Sequence, residues 1–229
     1  MLRLGEHRAT TLLFIAVIIL FAAMGQFFPQ ALAVPLPGST IRPVLLLEFA
    51  ATPQHLVHIF GEADNPDRAA RIAGMKTGNA IDYLLMPAYG LMTFSFFRRI
   101  DRDLGGTMWR WFAWMGIAAA LADAVENALM FRMVADMASP LDEMVLLPFP
   151  VWAKFGLLAM TCAGAAWAFF GMQRWFLMLL CMPAPLLLIP GMLDPYGFAP
   201  ISTTMIGLGW VSMGIYSALQ WRRASQLQS

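Results

Sequence analysis

Residues 111–132, WFAWMGIAAALADAVENALMFR, set two carboxylates and an amide inside an apolar run long enough to cross a bilayer. At about 100° per residue, Gly116, Ala119, Ala120, Glu126 and Asn127 fall within roughly 60° of Asp123 on a helical wheel, whereas Trp114, Leu121 and Val125 point the other way. The run therefore predicts a helix with one small, polar face and one greasy face. Ionisable groups at such a depth need partners from neighbouring helices.

The remainder of the chain has the same character. Its 229 residues are 59% hydrophobic and 13% charged, with a mean hydropathy of +0.64. No stretch reads as a separate polar domain, so the expectation is a single integral membrane domain, all-α, over residues 1–229. A net charge of +1, with no Lys/Arg cluster among aromatics, excludes a nucleic-acid partner. Cys162 and Cys181 lie in different apolar segments without a CxxC pair, so they read as small core residues. The 18 methionines are scattered through nearly every segment and read as apolar filler.

Working outward, spanning segments are predicted at 11–29, 80–97, 109–132, 150–172, 175–193 and 198–221, about six in all. The first is followed by Ala31-Leu32-Ala33, which imitates a processing site. Its apolar stretch of about 18 residues exceeds the roughly 7–15 of a signal sequence, so a retained anchor is expected. Residues 30–78 form a less apolar insertion of short helices. Thr52-Pro53 and Asn65-Pro66 each read as an N-cap followed by proline, and Arg68, Arg71 and Lys76 among Ala69, Ala70, Ile72 and Met75 suit a helix lying in the headgroup layer. The fifth span holds Pro183, Pro185, Pro190 and Gly191 and must be kinked or broken. Close helix seams are expected at Gly116, Ala120, Ala124 and Ala128, at Ala159 and Ala163, at Gly164 and Ala168, and at Thr203 and Gly207.

Six spans put both termini on one side. With that side cytoplasmic, it carries Arg3, Arg8, Arg98, Arg99, Arg102, Arg110, Arg174, Arg222 and Arg223; the outer side carries Arg42, Arg68, Arg71 and Lys76 in the insertion and Arg132 and Lys154 at helix ends, while its short connections hold Asp136, Asp142, Glu143 and Asp194. The positive-inside rule thus favours both ends in the cytoplasm, and Trp109, Trp111, Trp175 and Trp221 fall at the inner interface. The same direction rule places Asp123, Glu126 and Asn127 in the outer half of the third span. Asp82 near the outer end of the second, Lys154 one turn into the fourth, and Ser202, Thr203 and Thr204 share their level. Glu48 in the insertion lies on the same side, where residues 30–78 form a lid. Lys154 is the obvious counter-ion, with Arg132 second.

His55 and His58, at i and i+3, are weak metal candidates, beside Glu48 or Asp82; two interfacial histidines without metal is the simpler reading. No proposed span contains a histidine, so haem ligation is not expected, and no other cofactor is indicated. The chain lacks a GxSG serine, a DGxxAR motif and an NDxxD motif, which removes the corresponding membrane protease, CDP-alcohol transferase and prenyltransferase classes.

LLLEFA at 45–50, IDYLLMPAYG at 81–90 and LADAVENALM at 121–130 together resemble a pattern of small multipass bacterial membrane proteins, to which no activity is attached. The resemblance covers about a third of the chain and implies that Glu48, Asp82, Asp123, Glu126 and Asn127 belong together. Three functions follow as alternatives. The first is binding or transport of a cation, a proton, or a polar lipid or small molecule at an outer-leaflet acidic/amide site. Proline and glycine in spans 2 and 5 (Pro87 and Gly90; Pro183 to Gly191) lend it weak support, as in broken-helix transporters. The second is an accessory or assembly subunit in which the cluster is a structural knot. The third is a membrane-embedded lipid-modifying enzyme, with a carboxylate as general base and Asn127 or Lys154 stabilising developing charge. The expected partners are membrane lipids, and beyond them other membrane proteins or a second copy of the chain.

Overall fold

The computed structural model describes residues 2–226, and the side chains of all of these except 2–6 and 198. The regular structure among them is entirely helical. Four helical stretches are long and apolar enough to cross a membrane: His7–Phe27, Arg68–Leu104, Leu141–Gly171 and Trp175–Leu193.

The long helices are α1 (Leu2–Phe27), α4 (Arg68–Leu104), α5 (Met108–Ala135), α7 (Pro148–Gly171) and α11 (Pro195–Gln226). Between α1 and α4 lie α2 (Pro43–Glu48) and α3 (Pro53–Phe60), and α6 (Leu141–Leu146) leads into α7. The proline-rich stretch Trp175–Leu193 is broken into α8 (Trp175–Cys181), α9 (Pro183–Leu186) and α10 (Leu188–Leu193), as its prolines require. Proline opens α2, α3, α7 and α9, where its missing N–H has no acceptor to lose. Gly61 and Gly105 end α3 and α4 at φ 84° and 70°, a conformation that favours glycine.

Packing closes these helices into a ring. α4 lies between α1 and α5, α5 between α4 and α7, and α7 packs on the α8–α10 segment; that segment and α1 both meet α11. α2 is tucked against α5 and α11, burying Leu45, Leu46 and Leu47. Two clusters fill the interior. One gathers α2, α3 and the adjoining ends of α4, α5 and α7 around Phe60, Met92, Met130 and Leu158. The other is aromatic, with Phe96, Phe97, Trp109 and Phe169. The outward faces are apolar too: Ile19, Leu84, Trp111, Leu121, Phe176 and Leu193 are all exposed, which suits lipid contact.

On α5 the wheel is borne out. Gly116, Ala119, Asp123, Glu126 and Asn127 are buried, while Trp114, Leu121 and Val125 are more than half exposed. The α4–α5 seam is real at Gly116 and Ala120. A Cβ added at Gly116 would stand 2.7 Å from Thr93 Cβ, and one at Gly90 3.1 Å from Ala120 Cβ. Gly164 faces the Phe112 ring, but Gly207 has nothing within 4 Å and Ala128 is exposed, so those two positions are not seams.

Other expectations need correction. The basic segment at 66–76 is no separate interfacial helix: from Arg68 it is the first turns of α4, because nothing between Arg68 and Leu104 breaks the hydrogen-bond ladder except Pro87, which the helix absorbs. Asn65 caps no helix and instead accepts the Asp67 amide at 2.9 Å in a turn, leaving Asp67 as the N-cap of α4. Trp109 is buried, its indole donating to the Gly105 carbonyl at 2.8 Å, so it belongs to the inner core and not to an interfacial belt. His7 lies within the first apolar span and packs edge-on against Tyr216 at 5.9 Å. Cys162 and Cys181 are fully buried free thiols, as expected of core residues.

Candidate functional site

The polar face of α5 supplies the centre of the site. At a spacing of three to four residues, Asp123, Glu126 and Asn127 project together into the ring. α7 brings Lys154 to meet them. Its ammonium donates to Glu126 Oε1 at 2.7 Å and to Glu48 Oε2 at 3.3 Å, and lies 3.4 Å from Asp123 Oδ1. Glu126 has no exposed surface, and Asp123 and Lys154 retain 6% and 7%. Glu48 comes from the end of α2, whose buried leucines hold the carboxylate over the bundle. The Phe155 ring lies 5.0 Å from the ammonium and helps screen it from solvent.

Beside this group sits a second. Asn127 Nδ2 donates to Asp82 Oδ2 at 2.9 Å and to the main-chain carbonyl of Asn79 at 3.4 Å. Tyr83 donates its hydroxyl to the Ala124 carbonyl at 3.2 Å. In the first group Asp123 also accepts the Tyr89 hydroxyl through Oδ2 at 2.9 Å, and the Tyr89 ring stacks on Trp210 at 4.9 Å. Six of the expected site residues, Glu48, Asp82, Asp123, Glu126, Asn127 and Lys154, therefore meet on four elements, α2, α4, α5 and α7.

Other expected residues stand apart. Arg132 pairs with Glu143 at 2.9 Å on the exposed side of α5, so Lys154 alone is the counter-ion. Thr203 and Thr204 bond back to the Ala199 and Pro200 carbonyls of their own helix. Ser202, buried with its hydroxyl unpartnered, lines a recess of about 10 Å³ with Phe49 and Trp152. That is about the room of one water. His55 Nδ1 accepts the Ala51 amide at 3.1 Å and its ring meets Tyr196 edge-on, while His58 Nδ1 lies 3.0 Å from the Val34 carbonyl. Burial, and then the neighbouring His58, lower the His55 pKa from its ordinary 6.5. Neither histidine joins Glu48 or Asp82, and among the described residues no three His, Cys, Asp or Glu side chains form a metal-holding group.

Sequence reading missed Tyr89, Trp210 and Asn79. Tyr89 and Asn79 had a legible signal: they lie seven residues after and three before Asp82 on one helix, and so share its face.

The cluster has more acid than base. One ammonium meets three carboxylates, with Asp82 a fourth nearby. One oxygen of Glu126, the amide oxygens of Asn79 and Asn127 and the indole N–H of Trp210 are buried without a protein partner. Such an arrangement holds charge in place and leaves acceptors for a proton, water or a cation. Comparison of the chain with family models, with curated proteins and with solved structures found no match.

Proposed function

We propose that the protein is a six-span membrane protein of the bacterial inner membrane, with both termini in the cytoplasm, residues 30–67 as an outer cover, and a proton-exchanging site at Lys154, Glu126, Asp123 and Glu48. α5 and α11 bring the four apolar stretches to six spans, as the third and the sixth in chain order. At ~1.5 Å per residue their 28 and 32 residues exceed the ~30 Å hydrocarbon thickness. The buried acids of α5 and the glycines and hydroxyls of α11 lower their hydropathy without shortening them.

The observation that carries the proton reading is the charge balance. A buried group with one cation and three carboxylates is neutral only when two protons or other cations join it, and Glu126 offers an unpartnered oxygen. The Lys154 ammonium, within 3.4 Å of all three acids, can shift its strongest bond from one to another as a proton arrives or leaves. Coupling that exchange to passage of a solute is the transport function this site suits.

The test is infrared difference spectroscopy of the purified protein between pH 5 and 9. A protonated carboxyl band that titrates and is removed by Glu126→Gln or Asp123→Asn supports the reading. Its absence, with both variants merely less stable, would favour the second reading, an accessory subunit clamped by its polar knot. That alternative draws on the burial of the groups and their bonding to one another.

A further inference from the structure

We propose that Asn79, Asp82 and Asn127 form a site for a hard monovalent cation of the sodium class, beside the proton site and separate from it. The four carboxylates differ in their company. Asp123, Glu126 and Glu48 each lie within 3.4 Å of the Lys154 ammonium. Asp82 has no cationic side chain within 4.0 Å among the described residues; its partner is the Asn127 amide at 2.9 Å.

The polar groups beside Asp82 are the Asn127 carboxamide and the Asn79 main-chain carbonyl. Asn127 Nδ2 also reaches the Asn79 main-chain carbonyl, which places that carbonyl, the Asp82 carboxylate and the Asn127 carboxamide together between α4 and α5. Asn127 and Asn79 are 0% and 2% exposed, and the Oδ1 atom of each is buried without a partner. An amide oxygen so placed loses hydration and gains nothing in return. A cation at Asp82 would supply what both lack once their amides turn their oxygens to it.

The donor set also selects the ion. Carboxylate, amide and main-chain oxygens suit hard cations, and nitrogen- or sulfur-seeking metals find no ligand here. One carboxylate among neutral oxygens balances a single positive charge, which disfavours magnesium or calcium. Asp82 is half-buried and Tyr83 beside it is exposed, so the entrance lies at the α4–α5 surface. Rotation of the Asn127 amide would exchange its N–H for its oxygen at Asp82, so that binding moves no backbone.

The experiment measures thermal unfolding of the purified full chain in detergent at fixed pH and ionic strength, with sodium, potassium, magnesium or choline as the chloride. A saturable rise of roughly 5 °C in sodium over choline is expected for the wild type, from binding to the folded state alone. It should vanish in Asp82→Asn and in Asn79→Ala and persist in Glu126→Gln, which disables the proton site only. Equal melting in all four salts, a larger effect of magnesium, or a sodium effect surviving in both Asp82→Asn and Asn79→Ala would overturn the proposal. Since the infrared band at Glu126 is measured separately, failure of the sodium site and failure of the proton site are told apart.

Discussion

Lys154 is the residue on which the buried acids depend. Removing it as Lys154→Met leaves Glu126, wholly buried, without its 2.7 Å partner. A charge stranded that way costs about 3–5 kcal/mol, so the variant should unfold well below the wild type in a detergent melt. Adding Glu126→Gln should restore part of the loss, because the stranded charge goes with it; a double variant no more stable than Lys154→Met would show that the pair is not coupled. Tyr89→Phe deletes one hydrogen bond to Asp123 and keeps the ring on Trp210. A loss of about 1.5–3 kcal/mol is expected for a bond to a charged group, with Trp210 fluorescence little altered. The acids and the lysine were legible in the sequence because a charge inside an apolar run must find its partner within the bundle. Trp210 was not, since an aromatic side chain on a helix reads as ordinary core until the facing helix is known, whereas Tyr89 and Asn79 lie on the face of α4 that carries Asp82.

The helices themselves offer sharper contrasts. The α4–α5 contact depends on Gly116, where a Cβ meets Thr93, so Gly116→Val should cost on the order of 1–3 kcal/mol through overpacking. Gly207, in the middle of α11 with open space beside it, should accept alanine with no loss and a gain of up to about 1 kcal/mol from helix propensity. Thermal melts of the two variants check both. Spacing-four patterns named both glycines as seams; the spacing reports which residues are small, and only the neighbour's position reports whether smallness is used. In α3, His55 accepts a main-chain N–H with a ring nitrogen that must be unprotonated. Because burial lowers its pKa in the fold, the unfolded chain takes up the proton first. The His55 contribution is therefore present above pH 6.5 and lost as pH falls below it. His55→Gln should lose less stability than the wild type between pH 7 and pH 5, and an equal loss in both would exclude this origin.

The proposed topology predicts which surfaces face which side of the membrane. Ser139 and Thr107, both exposed and at opposite ends of α5, serve as reporters, with Cys162 and Cys181 buried and silent. A membrane-impermeant maleimide should label Ser139→Cys in intact cells and Thr107→Cys only after the membrane is opened; the reverse pattern would invert the orientation. Composition and periodicity were enough for an all-helical chain with apolar spans, for the polar face of α5 and for the break between Trp175 and Leu193. These follow from properties local to each segment: hydrophobic length, a 3.6-residue repeat and the missing N–H of proline. The pairing of Arg132 with Glu143 and the placing of Tyr89, stacked on Trp210, against Asp123 were decided by tertiary structure. Each depends on which side chains the closed ring brings within a few ångströms, and hydrogen bonds and ion pairs are too short-ranged for spacing along one helix to select the partner on another.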